Sequence, residues 1–409
     1  MKKSIFKNQT PIIGIIIGLS LIIWQVWGFN NNFSTFSKEP NLNATSSKIL
    51  FVISASPSPS PSPVYPRLSP APSVVKAVYL TSYSAGNPQK IDEIIKLIDE
   101  TELNGVVIDI KDYTGKVAFE THSDLLKDLN AEEIKIKDFD SLVKKFHDHN
   151  IYVIVRIAVF QDLNLVKQKP EVAVKNKFTG GIWKDRKGIS WVDPASKFVW
   201  DYNIEVAKEA INLGVDEINF DYIRFPSDGD MTALAYPVFD ENQLSKSQQL
   251  EQFFKYLNEN LKPTGVKLSA DLFGLSTINN DDLGIGQKIE SAYLYFDYVC
   301  PMVYPSHYAK GFIGYQNPAQ YPYEVIDYSL GKALIKRENL IEKMASTTSN
   351  FASSSIGILR PWLQAFDLGA DYTPSMIKKE IQATYDNNLY YGWYLWDPKN
   401  IYNPSIFQR

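Results

Sequence analysis

From Val74 onward, short apolar runs alternate with longer helical patterns, and few folds accept a chain of that rhythm. The strand candidates are Val75–Ser82, Val106–Lys111, Tyr152–Ala158, Glu217–Asp221, Val266–Ala270, Tyr298–Tyr304, Ile358–Leu363 and Gly392–Trp396. Helical patterns separate them at Asp92–Glu100, Phe139–His149, Phe198–Asn212, Gln248–Asn260, Ile326–Met344 and Ser375–Asn387. Asn87-Pro88 and Thr373-Pro374 are helix starts, with a capping side chain followed by Pro in the first turn. Asn212-Leu-Gly214 is a helix stop. Eight strands in about 335 residues predict an α/β fold, a (β/α)8 TIM barrel with long loops at its C-terminal face. Little chain follows Trp396, so a full eighth helix is not expected. An open doubly wound sheet is the alternative, but its Gly-rich phosphate turn is missing from Ser82-Tyr-Ser-Ala-Gly86.

A barrel of this kind keeps its chemistry at the strand C-termini, and the polar residues recur there. Strand one ends at Thr81, Ser82 and Tyr83, and strand two carries Asp109, Lys111 and Asp112. Arg156 interrupts the apolar strand three, and strand four delivers Asn219, Asp221 and Arg224. Ser269 and Asp271 follow on strand five, then Met302, Tyr304 and His307 on strand six. Arg360, Trp362 and Gln364 belong to strand seven, and Trp393, Trp396 and Asp397 to strand eight.

Asp221 and Asp271 stand out as the catalytic candidates. Neighbouring strands lie about 4.8 Å apart, so these carboxyls can meet at the distance that glycoside hydrolysis requires. One acid would protonate the leaving oxygen while the other attacks the anomeric carbon or activates water. The plainer reading pairs Asp221 with Arg224 or Arg156 and makes Asp271 a turn cap. Candidate substrate-binding residues are Asp109, Arg156, Asn219, Arg224, Tyr304, His307, Trp362, Gln364, Trp393 and Trp396. Arg156 must be paired if buried, with Asp109 or Asp221 as its natural partner. The three Trp offer a stacking platform, and 13% aromatic content suits sugar faces.

Other chemistries lack residues. A net charge of −4 gives no reason to expect a nucleic-acid partner. Four His and one Cys show no zinc spacing, so no metal is expected, and His147 and His149 point to different helix faces. No phosphate loop, dinucleotide fingerprint or nucleophile elbow appears, so no cofactor is expected. Cys300 lies in an apolar run and is expected to be an inert buried thiol.

The N-terminus points to a compartment. Lys2, Lys3 and Lys7 precede an apolar stretch from Pro11 to about Phe29, long enough to span a bilayer. The charge bias places the N-terminus inside and the body outside, attached to the cell membrane through this segment. A cleaved signal peptide is the alternative, but no small-x-small site follows closely. The Ser-Pro repeat within 56–63 then makes an extended spacer. The expected organisation is therefore 1–30 cytoplasmic stub and transmembrane helix, 31–73 Ser/Pro-rich linker, and 74–409 barrel.

Three motifs occur in order: Trp191-Val-Asp-Pro194, Gly214-Val-Asp-Glu-Ile-Asn-Phe-Asp-Tyr-Ile-Arg-Phe-Pro226 and Pro301-Met-Val-Tyr-Pro-Ser-His-Tyr308. Together they resemble the glycosyl-hydrolase-like barrel family, a likeness running from about Val75 to Trp396. The resemblance implies a (β/α)8 barrel outside the cell that acts on or binds polysaccharide. A more distant likeness is to chitinase-type barrels, whose fourth strand carries Asp-x-x-Asp-x-Asp-x-Glu. Asp216, Asn219 and Asp221 fall at the three Asp places, but Ile223 occupies the place of the catalytic Glu. Met302-Val-Tyr304 matches their sixth strand. The missing Glu leaves Asp271 as the expected acid. Three functions remain: a hydrolase of cell-wall or exopolysaccharide glycans, a surface barrel that binds oligosaccharide without cleaving it, or a structural assembly protein on a long spacer, which would show no deep polar pocket at the strand ends.

Overall fold

The computed structural model describes residues 65–349 and 351–409. The expected membrane segment and most of the spacer lie outside these residues. Among the described residues no helix is long and apolar enough to cross a membrane.

Eight parallel strands close into a barrel. They are β1 (Val75–Leu80), β2 (Gly105–Lys111), β3 (Tyr152–Ala158), β4 (Glu217–Asp221), β5 (Lys267–Phe273), β6 (Tyr298–Met302), β7 (Ile358–Leu359 and Trp362–Gln364) and β8 (Gly392–Trp396). Each pairs with the next, and β8 returns to β1 with Gly392 facing Val75. That closing contact needs glycine: Gly392 has φ +100°, and a Cβ there would sit 1.8 Å from the Val75 carbonyl oxygen. One main helix follows each of the first seven strands: α1 (Pro88–Asp99), α2 (Phe139–Asp148), α3 (Lys197–Asn212), α4 (Lys246–Leu261), α5 (Ile289–Tyr295), α6 (Pro322–Thr347) and α7 (Pro374–Asp386), with short helices at Ser82–Ala85, Asp124–Asp128 and Leu163–Gln168 in the loops. After β8 comes only a one-turn 3₁₀ helix, Pro404–Ile406.

Local signals explain the element ends. Asn87 Oδ1 accepts from the Gln89 and Lys90 N–H groups, and Thr373 caps α7 through Met376 N. Leu213 and Gly214, with Gly214 at φ +86°, stop α3. Strands read as apolar runs because both of their faces are covered. In β3, Val153, Val155 and Ile157 join the core beneath the helices, while Tyr152 and Ile154 fill the barrel. Each such burial contributes roughly 1.5–3 kcal/mol. Cys300 sits in the interior layer, and burial pushes its thiol pKa up, as an inert buried thiol requires.

Two polar layers sandwich the apolar interior. The lower one corrects an expectation: Arg360 does not serve the strand C-termini. Its Nη1 reaches down to Glu217 Oε2 at the start of β4, 3.0 Å away, and both side chains are fully buried. Tyr394 Oη donates to Glu217 Oε1 at 2.6 Å, and the Tyr298 ring lies 3.4 Å from the guanidinium carbon. This layer is the barrel floor. The upper layer holds the expected carboxylates.

Candidate active site

Register brings Asp221 and Asp271 side by side. Phe220 of β4 faces Ala270 of β5, so the next residue on each strand is one of the acids. Asp109, Arg156 and Asn219 face one another along β2, β3 and β4. Arg156 donates Nη1 to Asp109 Oδ1, and to Asp221 Oδ2 it donates Nη2 at 2.5 Å and Nε at 3.1 Å. The same Nε lies 3.8 Å from Asp271 Oδ2. Laid end to end, those two Nε distances cap the Oδ2–Oδ2 separation of Asp221 and Asp271 at about 7 Å, which includes the retaining range and only the short end of the inverting one.

The two acids sit in opposite surroundings. Asp221 holds the guanidinium and also accepts from Tyr222 N at 2.5 Å. Asp271 takes neutral donors: its Oδ1 accepts from Asn219 Nδ2 at 2.8 Å and from Trp362 Nε1 at 2.7 Å. Burial raises the Asp271 pKa well above the usual carboxylate range, and the charge of Asp221 raises it further. Asp109 is raised by burial too, although Arg156 and the Tyr79 hydroxyl oppose the shift. Burial disfavours the Arg156 cation, but Asp109 and Asp221 outweigh it and hold the proton firmly. One guanidinium thus serves three carboxyls, and Asp271, whose nearest guanidinium contact is the longest, is the one whose proton is held most strongly. That guanidinium fills the centre where a cation bridging the acids would lie. Among the described residues no cluster of three or more His, Cys, Asp or Glu is placed to hold a metal.

The expected platform differs from the one found. Trp362 is fully buried and spends its indole N–H on Asp271, so it cannot stack on a sugar. Trp393 points outward, donating to Tyr385 Oη and stacking on Phe407, and takes no part in the site. Trp396 does reach the cluster, half-buried, with Tyr79 stacked on it at 3.8 Å and Arg156 5.2 Å from its ring centre. Gln364 is buried and ties loops together, accepting from Ser306 N and donating to the Phe366 carbonyl. Tyr304 packs against His307 and Phe366, and burial, with Lys187 nearby, lowers the His307 pKa to about 4. Its ring is therefore neutral at neutral pH. Arg224 is buried beside the cluster and bonds to the Phe225 carbonyl and Ser227 Oγ, not to Asp221. Tyr304 Oη, Trp396 Nε1 and Asn219 Oδ1 are buried with no protein partner.

A family profile described as "Putative glycosyl hydrolase domain" matches residues 77–402. The chain belongs to that family. Among solved structures, the glycoside hydrolase domain of PgaB (BpsB) from Bordetella bronchiseptica is 10% identical, covers 80% of this chain and 95% of its own, and superposes with a TM-score of 0.57. An alpha-L-fucosidase isoenzyme 2 from Paenibacillus thiaminolyticus is 12% identical over 81% of this chain and 47% of its own, with a TM-score of 0.50. A hypothetical protein from Ruminiclostridium thermocellum is 38% identical over 51% of this chain and 98% of its own, with a TM-score of 0.44. No curated protein sequence matches the chain. The PgaB and fucosidase likenesses show the barrel fold, which this glycosyl-hydrolase-like chain shares.

Three contributors escaped the sequence reading. Tyr79 Oη donates to Asp109 Oδ2 at 2.5 Å; its place on β1, two residues before Thr81 on the same face, was the available signal. Tyr222 adopts φ +52°, a left-handed conformation at the residue following Asp221, and its ring lies 5.9 Å from Arg156. Trp191, in a motif singled out for resemblance, lies 4.7 Å from the Arg224 guanidinium. Ile223, at the place of the chitinase acid, is fully buried in the outer core. A surface hollow of about 320 Å³ between α1 and α2 is unrelated to this cluster. It is lined by Asp92, Asp99, Lys145 and His149, which pair across it, and no strand end reaches it.

Proposed function

We propose that the chain is an extracellular glycoside hydrolase that cleaves O-glycosidic bonds of a cell-wall or exopolysaccharide glycan. The observation that carries this reading is the pair of adjacent carboxyls held in opposite environments, Asp221 against a guanidinium and Asp271 against neutral donors. A pair pushed apart in this way divides into acid and base. Asp271 gives its proton to the glycosidic oxygen as the C–O bond breaks. Asp221 attacks the anomeric carbon, and water later displaces it with Asp271 taking back a proton; at the upper end of the separation Asp221 instead draws the proton from water. Arg156 holds Asp221 in place. The location is part of the proposal and stands on Lys2, Lys3 and Lys7 before the apolar stretch.

The test is release of reducing ends from a glycan panel. Asp221→Asn and Asp271→Asn are each expected to lower turnover by about 10²–10⁴-fold while the fold stays intact. Turnover like the unmodified protein in either variant rejects the assignment. One observation favours a second reading, a barrel that binds glycan without cleaving it: Asp271 is only 1% exposed. Under that reading both variants bind glycan and the unmodified protein releases no reducing ends.

A further inference from the structure

Arg224 is a buried cation that forms no ion pair with a carboxylate among the described residues. The residue is 4% exposed, yet its hydrogen bonds go from Nη1 to two neutral acceptors, the Phe225 carbonyl and Ser227 Oγ, each at 3.1 Å. Trp191 and Phe273 lie 4.7 and 4.6 Å from the guanidinium carbon and fix its plane. The acids around it are engaged elsewhere. Asp221 is bound to Arg156. Asp185 accepts from Gln161, Trp191 and the Lys187 and Ile189 N–H groups, and Asp228 accepts from Arg186 N. The Nε and Nη2 atoms bond to none of the described residues. They form one edge of the guanidinium, the edge that grips an oxyanion with two parallel bonds.

We propose that this edge receives an acidic group on the glycan, a sugar carboxylate or sulfate, so that the substrate is an anionic polysaccharide. The inference rests on the hydrolase reading of the same face and narrows its substrate class. Geometry supports it. Tyr222 stands between the two arginines, its ring centre 5.9 Å from Arg156 and 5.4 Å from Arg224. The anion edge is thus one aromatic ring away from Asp221, where a substituent on the same or the neighbouring sugar would lie. Lys187 is exposed on the loop covering this side and adds a second positive charge near Arg224. Burial lowers the Arg224 pKa, and the nearby Tyr222, Asp221, Asp228 and Asp185 oppose that shift only in part.

The test is calorimetric binding to the full-length chain carrying Asp271→Asn, so that no probe is consumed. The probes are oligogalacturonate and its carboxyl-reduced counterpart, and a sulfated oligosaccharide with its desulfated counterpart. An acidic probe is expected to bind at least about tenfold tighter than its neutral partner, with the advantage shrinking as salt rises. Arg224→Gln should erase that preference, and Arg224→Lys, which keeps the charge but loses the two-point grip, should keep part of it. Which acid wins identifies the group. Equal binding of acidic and neutral partners, no binding of either, or a preference that survives Arg224→Gln overturns the inference. Should Arg224→Gln fail to fold, an Arg224→Lys protein with undiminished preference overturns it. The hydrolase reading is scored separately: Asp271-dependent cleavage without acid preference removes this inference alone, and acid-selective binding without cleavage removes the hydrolase reading alone.

Discussion

At the scale of single residues, the site is governed by a shortage of positive charge. Arg156 faces Asp109, Asp221 and Asp271, and burial forbids leaving three carboxylates to share one cation. Asp271 answers this shortage by holding its proton more strongly than a free carboxyl does, its pKa raised by burial and then by Asp221. The folded protein therefore keeps a proton that the unfolded chain releases near pH 3.9. Stability from that proton is full below the unfolded value and is lost as pH rises through the folded one. Asp271→Asn mimics the protonated acid and does not titrate. Its stability relative to the unmodified protein should therefore climb with pH, by about 1.4 kcal/mol for each unit the pH exceeds the unfolded value until the folded pKa is reached. Thermal melts of both proteins from about pH 4 to 9 measure it. A gap that does not change with pH would mean that Asp271 titrates as it does in the unfolded chain. If Asp271 is the acid, the alkaline limb of hydrolysis should follow the same titration.

At the scale of elements, the strands were legible as short apolar runs even where an inward polar residue interrupts them, as Arg156 does in β3 and Asn219 in β4, and less so where a strand runs on or breaks at such a residue. β3, β4 and β8 begin and end as the apolar pattern marks them. β5 runs on to Phe273, past the point where the pattern stops at Ala270, because the interior of its upper half is Asp271. β7 breaks at Arg360 and Pro361, and no periodicity tells that Arg360 reaches down to the floor. α5 has seven residues, too few to declare a helical period, and the loop bearing Trp191 is placed by tertiary contacts with Arg224. The acid pair was legible because strand alternation fixes which face a residue takes; Tyr79 and Tyr222 were not, since a tyrosine in a strand or turn reads as core. The floor makes its own prediction. Arg360→Met leaves Glu217 buried without its cation and should cost about 3–5 kcal/mol in urea unfolding. Adding Glu217→Gln should restore part of it, since the two sites are coupled. Simple additivity would show that the pair makes no joint contribution.

At the scale of the whole molecule, the chain enters the barrel at the end opposite the carboxylates. Arg67 Nη2 donates to the Thr264 carbonyl at 3.0 Å, and Leu68 N donates to Asp216 Oδ1 at 2.8 Å. Asp216 is nearly buried at the entrance to β4, where it also accepts from Val153 N at 2.7 Å and meets His147 Nε2 at 3.0 Å. Gly214 lets the entering segment come close: a Cβ there would approach Tyr65 and Pro66 at 3.1–3.2 Å. The residues just before Val74 are thus attached to the barrel floor, although their composition reads as spacer. A tether at this end, as proposed above, would leave the Asp221–Asp271 face open. The contacts also predict where the folded unit begins. A protein begun at Val74 loses the bond to Asp216 and should be less stable than one begun at Tyr65 by about 1.5–3 kcal/mol, the worth of a hydrogen bond to a charged group. Urea unfolding of the two compares them directly. Glycan binding should be equal in both, because the lost contacts lie on the far side from Arg156. Equal stability would return residues 65–73 to the spacer, and unequal binding would mean that the floor and the carboxylate face are coupled through β4.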